Sequence, residues 1–161
     1  MWQTEMVLLL RHMIDDVEET YRYSDSRLQE LILAAAQLTI GEISFAQEYS
    51  VDIDAHTLTP DPTDSAAGTR ENWFIDLVSM KAACVLDRGR VRKAVNSSFI
   101  AKEGNSMVDV RDAGKNAIEA MKHGWCKAYT DSKFEYEVDR TSDVGAVILT
   151  PFKTDTYTRG Y

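Results

Sequence analysis

Apolar residues recur every three or four positions through much of the chain and alternate or cluster in shorter runs elsewhere. Met6, Leu10, Met13, Ile14 and Val17 share one helical face, which predicts a first helix over about 3–18. "YRYSDSRL" interrupts the pattern. Ser24 there offers an N-cap with Asp25 at the helix start, and Arg27 stands where a capping box would have an acidic residue. Leu28, Leu31, Ile32, Ala35 and Leu38 then predict a second helix over about 25–41, whose "AAA" at 34–36 allows close approach of another backbone.

In "SVDIDAHTLTPDPTD", Val51, Ile53 and Ala55 alternate with Asp52, Asp54 and His56. A period of two predicts a strand with one wet face, which Pro60 and Pro62 end. The third helix is predicted over about 70–94. Its segment "NWFIDLVSMKAACVLD" is apolar around most of the circumference, so the helix is expected to be buried on several sides. At ~1.5 Å per residue it is about 35 Å long, more than a chain of this size readily surrounds. Trp73, Phe74, Leu77, Val78, Val85 and Leu86 are therefore expected in the core, with one side at an intersubunit contact. "SSFIAKEGNSMVDVRD" reads as two short strands with a turn at 102–106. A fourth helix follows over about 112–131 with Ala117, Ile118, Met121, Trp125, Ala128 and Tyr129 on its face, and "SKFEYEVDR" continues it or frays from it.

The expected fold class is mainly α: a helical bundle of about four helices with short strands or a hairpin and an extended C-terminal tail. One domain is expected over 1–149, with residues 150–161 as the tail.

The chain has 161 residues, 44% of them hydrophobic, which is ordinary for a folded domain. Its formal charge of −8 argues against gripping a nucleic-acid backbone as the main task. An acidic surface does suit a passage through which DNA slides without sticking. Asp52, Asp54, Asp61 and Asp64 are expected to stay solvated or to line such a channel. Asp-x-Asp could in principle hold Mg²⁺ or Ca²⁺, but the glycine and distal glutamate of a calcium loop are missing. His12, His56 and His123 are scattered: His12 has Asp15 and Asp16 one helical turn on and His123 has Cys126, each at most a two-ligand hint where zinc takes three or four protein ligands. Cys84 and Cys126, far apart in helical sequence, are expected to be buried reduced thiols. Arg88, Arg90, Arg92 and Lys93 read as a charged helix end or an intersubunit salt-bridge set. "MWQTEMVLLLRHMIDD" lacks a secretory pattern, which gives a cytosolic reading without a membrane segment. No nucleophile elbow, phosphate loop or His-Glu-x-x-His occurs, so no catalytic residue, metal or cofactor is assigned and the chain is not expected to be an enzyme.

Five segments together resemble the neck, or head-to-tail adaptor, proteins of tailed bacteriophages, also called head-tail connectors. They are "YRYSDSRLQELILAAAQLTIGEI", "VDIDAHTLTPDP", "FIDLVSMKAACVLD", "VDVRDAGKNAIEAMKHGWCKAY" and "AVILTPF", and they cover most of the chain from about 21 to 152. Each motif is soft by itself, and none is catalytic. The resemblance implies a structural virion protein: a homo-oligomeric ring, twelve-fold in such assemblies, beneath the portal protein. Such a ring extends the DNA channel, lets double-stranded DNA pass without specific binding, and offers a platform to a tail terminator or the next neck protein. The implied location is the virion neck, after assembly in the host cytoplasm. Phe152, Lys153, Tyr157, Arg159 and Tyr161 then become the expected anchors on the portal or a neighbouring subunit, because aromatic residues and arginine are the usual interface anchors. Two other readings compete. One is a small acidic regulatory protein that mimics nucleic acid; the other is a divalent-metal enzyme using Asp52, Asp54 and Asp61.

Overall fold

A computed structural model describes residues 1–18, 20–97, 100–103, 106–109, 118–119 and 122–140. Helix α1 spans Trp2–Met13 and ends earlier than its apolar spacing suggests. Asp15 takes a left-handed backbone with φ of 55°, and the Asp16 N–H returns to the Arg11 carbonyl at 2.9 Å, which closes the helix as a Schellman-type cap does. Helix α2, Asp25–Glu42, starts where expected: the Ser24 hydroxyl accepts from the Arg27 N–H at 3.3 Å. It buries Leu28, Ile32, Leu33, Ala35, Ala36 and Thr39. Thr39 stays satisfied by donating its hydroxyl to the Ala35 carbonyl at 2.8 Å.

The expected single strand is instead a hairpin. β1, Ser50–Asp52, pairs antiparallel with β2, Thr57–Thr59, with Val51 opposite Leu58. The Asp52 carboxylate accepts from the Ala55 N–H at 2.9 Å, and His56 adopts a φ of 52°. This side chain to backbone bond offers the chain a turn in place of continued extension. The alternation therefore breaks at Ile53, and only Val51 and Leu58 face inward.

Helix α3, Asn72–Ser97, runs for 26 residues and packs against α1 and α2. Phe74, Leu77, Val78, Ala82 and Ala83 are fully buried. Together with Met6, Leu10, Leu28, Ile32 and Leu33 they form the core, and complete burial contributes about 1.5–3 kcal/mol for each large apolar side chain. A second hairpin follows where the sequence puts it: β3, Ile100–Glu103, pairs with β4, Ser106–Asp109. Helical residues at 118–119 and 122–123 precede α4, Trp125–Arg140, which includes the "SKFEYEVDR" stretch and packs along α3. Residues 112–117, 120 and 121 of the expected fourth helix, and the C-terminal segment from 141, lie outside the described residues. The architecture is mainly α, with four helices and small antiparallel hairpins among the described residues.

Candidate functional site

Two polar knots hold the bundle, and neither was singled out from sequence. The first joins α1 to the start of α2. Arg11 sits among apolar neighbours on α1, with its side chain 5% exposed. It donates to Asp16 at 2.6 Å, to the Tyr23 carbonyl at 2.9 Å and to Asp25 at 2.5 Å. Tyr21 lays its ring 3.8 Å from the guanidinium. Asp16 in turn accepts from the Arg22 and Tyr23 N–H groups. The segment "YRYSDSR" is thus a clamp around one buried arginine. An arginine inside an otherwise apolar helical face was the available signal.

The second knot gathers α2, α3 and α4 on Glu42. Its carboxylate accepts from Lys81 at 2.6 Å and from the Tyr129 hydroxyl at 2.8 Å, and Lys133 lies 3.6 Å away. Burial pushes Glu42 upward, but the bonds from Lys81 and Tyr129 outweigh it and hold the carboxyl below its ordinary value. Burial and the adjacent Glu42 carboxylate push the Tyr129 phenol well up. Lys81 also lies over the Tyr129 ring, 4.4 Å from its centroid. The arrangement is a fully paired tie rather than a reactive centre.

The four aspartates do not share one environment. Asp52 and Asp54 are exposed at the β1–β2 turn. Asp61 is half-buried and builds structure: it accepts from the Trp2 N–H at 3.2 Å and from the Thr63 N–H and hydroxyl at 2.9 and 2.7 Å. Burial opposes its ionisation, and these hydrogen bonds prevail, keeping it below the usual aspartate range. Asp64, also half-buried, accepts from the Ala66 and Ala67 N–H groups. Of the four carboxylates expected to be solvated or to line a channel, Asp61 and Asp64 thus also cap local turns, whereas Asp52 and Asp54 stay exposed.

Of the α3 residues, Phe74, Leu77 and Val78 are in the core, Val85 and Leu86 are half-buried, and Trp73 is 38% exposed beside the Tyr136 ring at 5.5 Å. Trp73 begins an aromatic array that continues through Tyr136, Phe45, Phe74 and Tyr49. Tyr136 and Arg140 both donate to the Ser44 carbonyl, which fixes the end of α4 on the α2–β1 connection. Phe152, Lys153, Tyr157, Arg159 and Tyr161 lie outside the described residues.

The cysteines overturn their expected state. Cys84 of α3 and Cys126 of α4 form a disulfide across 42 positions, with Cα atoms 4.5 Å apart. Nothing local in the sequence marks the pair, because only the packing of α4 on α3 brings them together. His123 consequently has no thiol beside it, and Asp16 is committed to Arg11 rather than to His12. Among the described residues no group of three or more His, Cys, Asp or Glu could hold a metal ion, and no helix is long and apolar enough to cross a membrane.

Fold and site together define a small α-helical domain whose polar groups act as ties between helices and whose remaining features lie on its surface. No family model, curated protein or solved structure matches the chain.

Proposed function

We propose that the chain is a head-to-tail adaptor subunit of a tailed-bacteriophage neck, assembling as a ring beneath the portal. The observation that carries this reading is α3. It is about 39 Å long at 1.5 Å per residue, and its outer parts are incompletely covered by the described residues. Trp73 and Val95 are each 38% exposed, and Arg88, Arg92 and Lys93 are exposed. A central helix longer than each helix packed on it suits a subunit whose neighbours complete the cover. Three of the five segments that carry the resemblance have clear structural work here: "YRYSDSR" clamps Arg11, "VDIDAHTLTP" makes the first hairpin, and "FIDLVSMKAACVLD" forms the middle of the core.

In this role the fold supplies a stiff block and the C-terminal segment supplies the grip, with Phe152 and Tyr157 as anchors on the portal or an adjacent subunit. The test is to mix purified portal rings from the virus that encodes the chain with the full chain and with a version lacking residues 150–161. Electron microscopy should show an added ring under the portal with the full chain only. Equal binding of the truncated chain would remove the proposed grip, and absence of binding by the full chain would remove the adaptor reading.

A further inference from the structure

The start and the middle of α3 carry opposite surfaces. Beside its first turn, Glu71 accepts hydrogen bonds from the Ala46 N–H and the Tyr49 hydroxyl, and β1 begins at the next residue, so the β1–β2 hairpin lies at this end. The hairpin turn presents Ile53, 47% exposed, between the exposed carboxylates of Asp52 and Asp54. One Asp52 oxygen closes the turn on the Ala55 N–H, and Asp54 has no hydrogen bond or ion pair with a described residue. The apolar tip is thus held out by the turn that also flanks it with negative charge.

Leu86 lies about 21 Å along the helix from Asn72, at 1.5 Å per residue. There α3 and the first turns of α2 enclose a groove of about 250 Å³. Leu28, Leu31 and Leu86 supply its apolar lining, and Arg27 and Glu30 stand at its polar edge. Helical spacing places Arg90 and Lys93 on the same side of α3 as Leu86, one and two turns further on. Arg90 lies 3.9 Å from Asp87 and reaches over the Tyr23 ring. Among the described residues on these two helices, the surroundings hold three cations, Arg27, Arg90 and Lys93, against two carboxylates, Glu30 and Asp87. In a chain of net charge −8 this is a locally positive place with an apolar floor.

From this complementarity we infer that the Asp52–Ile53–Asp54 turn of one copy docks in the α2–α3 groove of a second copy. Ile53 covers the half-buried Leu31 and Leu86, and Asp54 faces Arg27. Knob and groove are different surfaces, one beside the first turn of α3 and one about 21 Å along it, so the contact is head-to-tail. Such a contact closes into a ring when its rotation allows and otherwise grows as a filament. The ring of the proposed function would use this contact, while the contact itself needs no virus. Glu30 is the charge at the groove that opposes docking.

Analytical ultracentrifugation of the full chain, up to millimolar concentration and at low and high salt, tests this. Reversible association that weakens with salt is expected. Ile53→Ser and Asp54→Lys should each weaken it on the order of tenfold, as should Arg27→Glu, and circular dichroism should show these exposed-site variants folded. Combining Asp54→Lys with Arg27→Glu should restore much of the loss, and Glu30→Gln should strengthen association. A chain that stays monomeric throughout, or associates equally well in all these variants, overturns the inference. Variant-dependent association by a chain that ignores portal rings would keep this contact and remove only the adaptor reading. Portal-bound rings that ignore these substitutions would do the reverse.

Discussion

The Tyr129 hydroxyl donates to the Glu42 carboxylate across 2.8 Å, joining the second turn of α4 to the last residue of α2. Lys81 from α3 closes the same carboxylate from the other side. Three helices thus meet at one titratable group.

This tie depends on pH. The folded Glu42 carboxyl titrates below its ordinary value of 4.5, so its contribution is complete above that value and is lost as pH falls through the lower folded value. Glu42→Gln should lower stability at pH 7 by about 1 kcal/mol or less, since the group is partly exposed and screened. The difference from the parent chain should shrink in urea titrations repeated below pH 4.5. A difference that stays constant down to acid pH would mean that the charge on Glu42 contributes nothing.

The Arg11 clamp should be among the most sensitive positions. Removing one partner of a buried ion pair leaves the other uncompensated, at a cost of about 3–5 kcal/mol. Arg11→Leu should lose an amount near the lower end, because Asp16 keeps its two backbone donors. Denaturant unfolding measures this directly, and a loss under 1 kcal/mol would show the clamp to be dispensable.

Leu77 of α3 is fully buried in a small cluster with Ile43, Tyr129 and Tyr136, whereas Trp73 remains partly exposed. Leu77→Ala should therefore cost about 2–5 kcal/mol in the isolated subunit. Trp73→Ala should cost less there and should weaken assembly if neighbours cover that end. Thermal melts and portal-ring binding separate the two effects.

Reduction should loosen the α3–α4 packing. A disulfide that closes a loop of this size restricts the unfolded chain, and its loss costs about 4 kcal/mol in the loop-entropy picture. Melting with and without reductant should differ by several degrees, and thiol labelling of the unfolded protein should find no free thiol before reduction. Two reactive thiols in the untreated protein would contradict the bond.

The aspartates should separate by environment. Asp54→Asn should leave stability within about 0.5 kcal/mol. Asp61→Ala should cost about 1–3 kcal/mol by orphaning the Trp2 and Thr63 donors. Equal effects at both positions would erase the distinction between the exposed turn and the structural one.

The helices were legible because their information is local. The Ser24 cap, the spacing of Leu28, Leu31, Ile32 and Ala35, and the apolar run of α3 all act within a turn or two of the chain, and α2 begins where they place it. The second hairpin was legible for the same reason, two short apolar runs around a turn. The early stop of α1 and the turn at Asp52 were decided by single side chain and backbone bonds that compete with continued helix or strand. The partners of Glu42 and of Arg11, and the Cys84–Cys126 bond, belong to tertiary structure alone. Tyr129 lies 87 residues from Glu42, and no periodicity encodes which helix faces which. Packing makes those choices, because burying the apolar faces of α1, α2 and α4 around α3 together leaves few ways to bring these polar groups to partners.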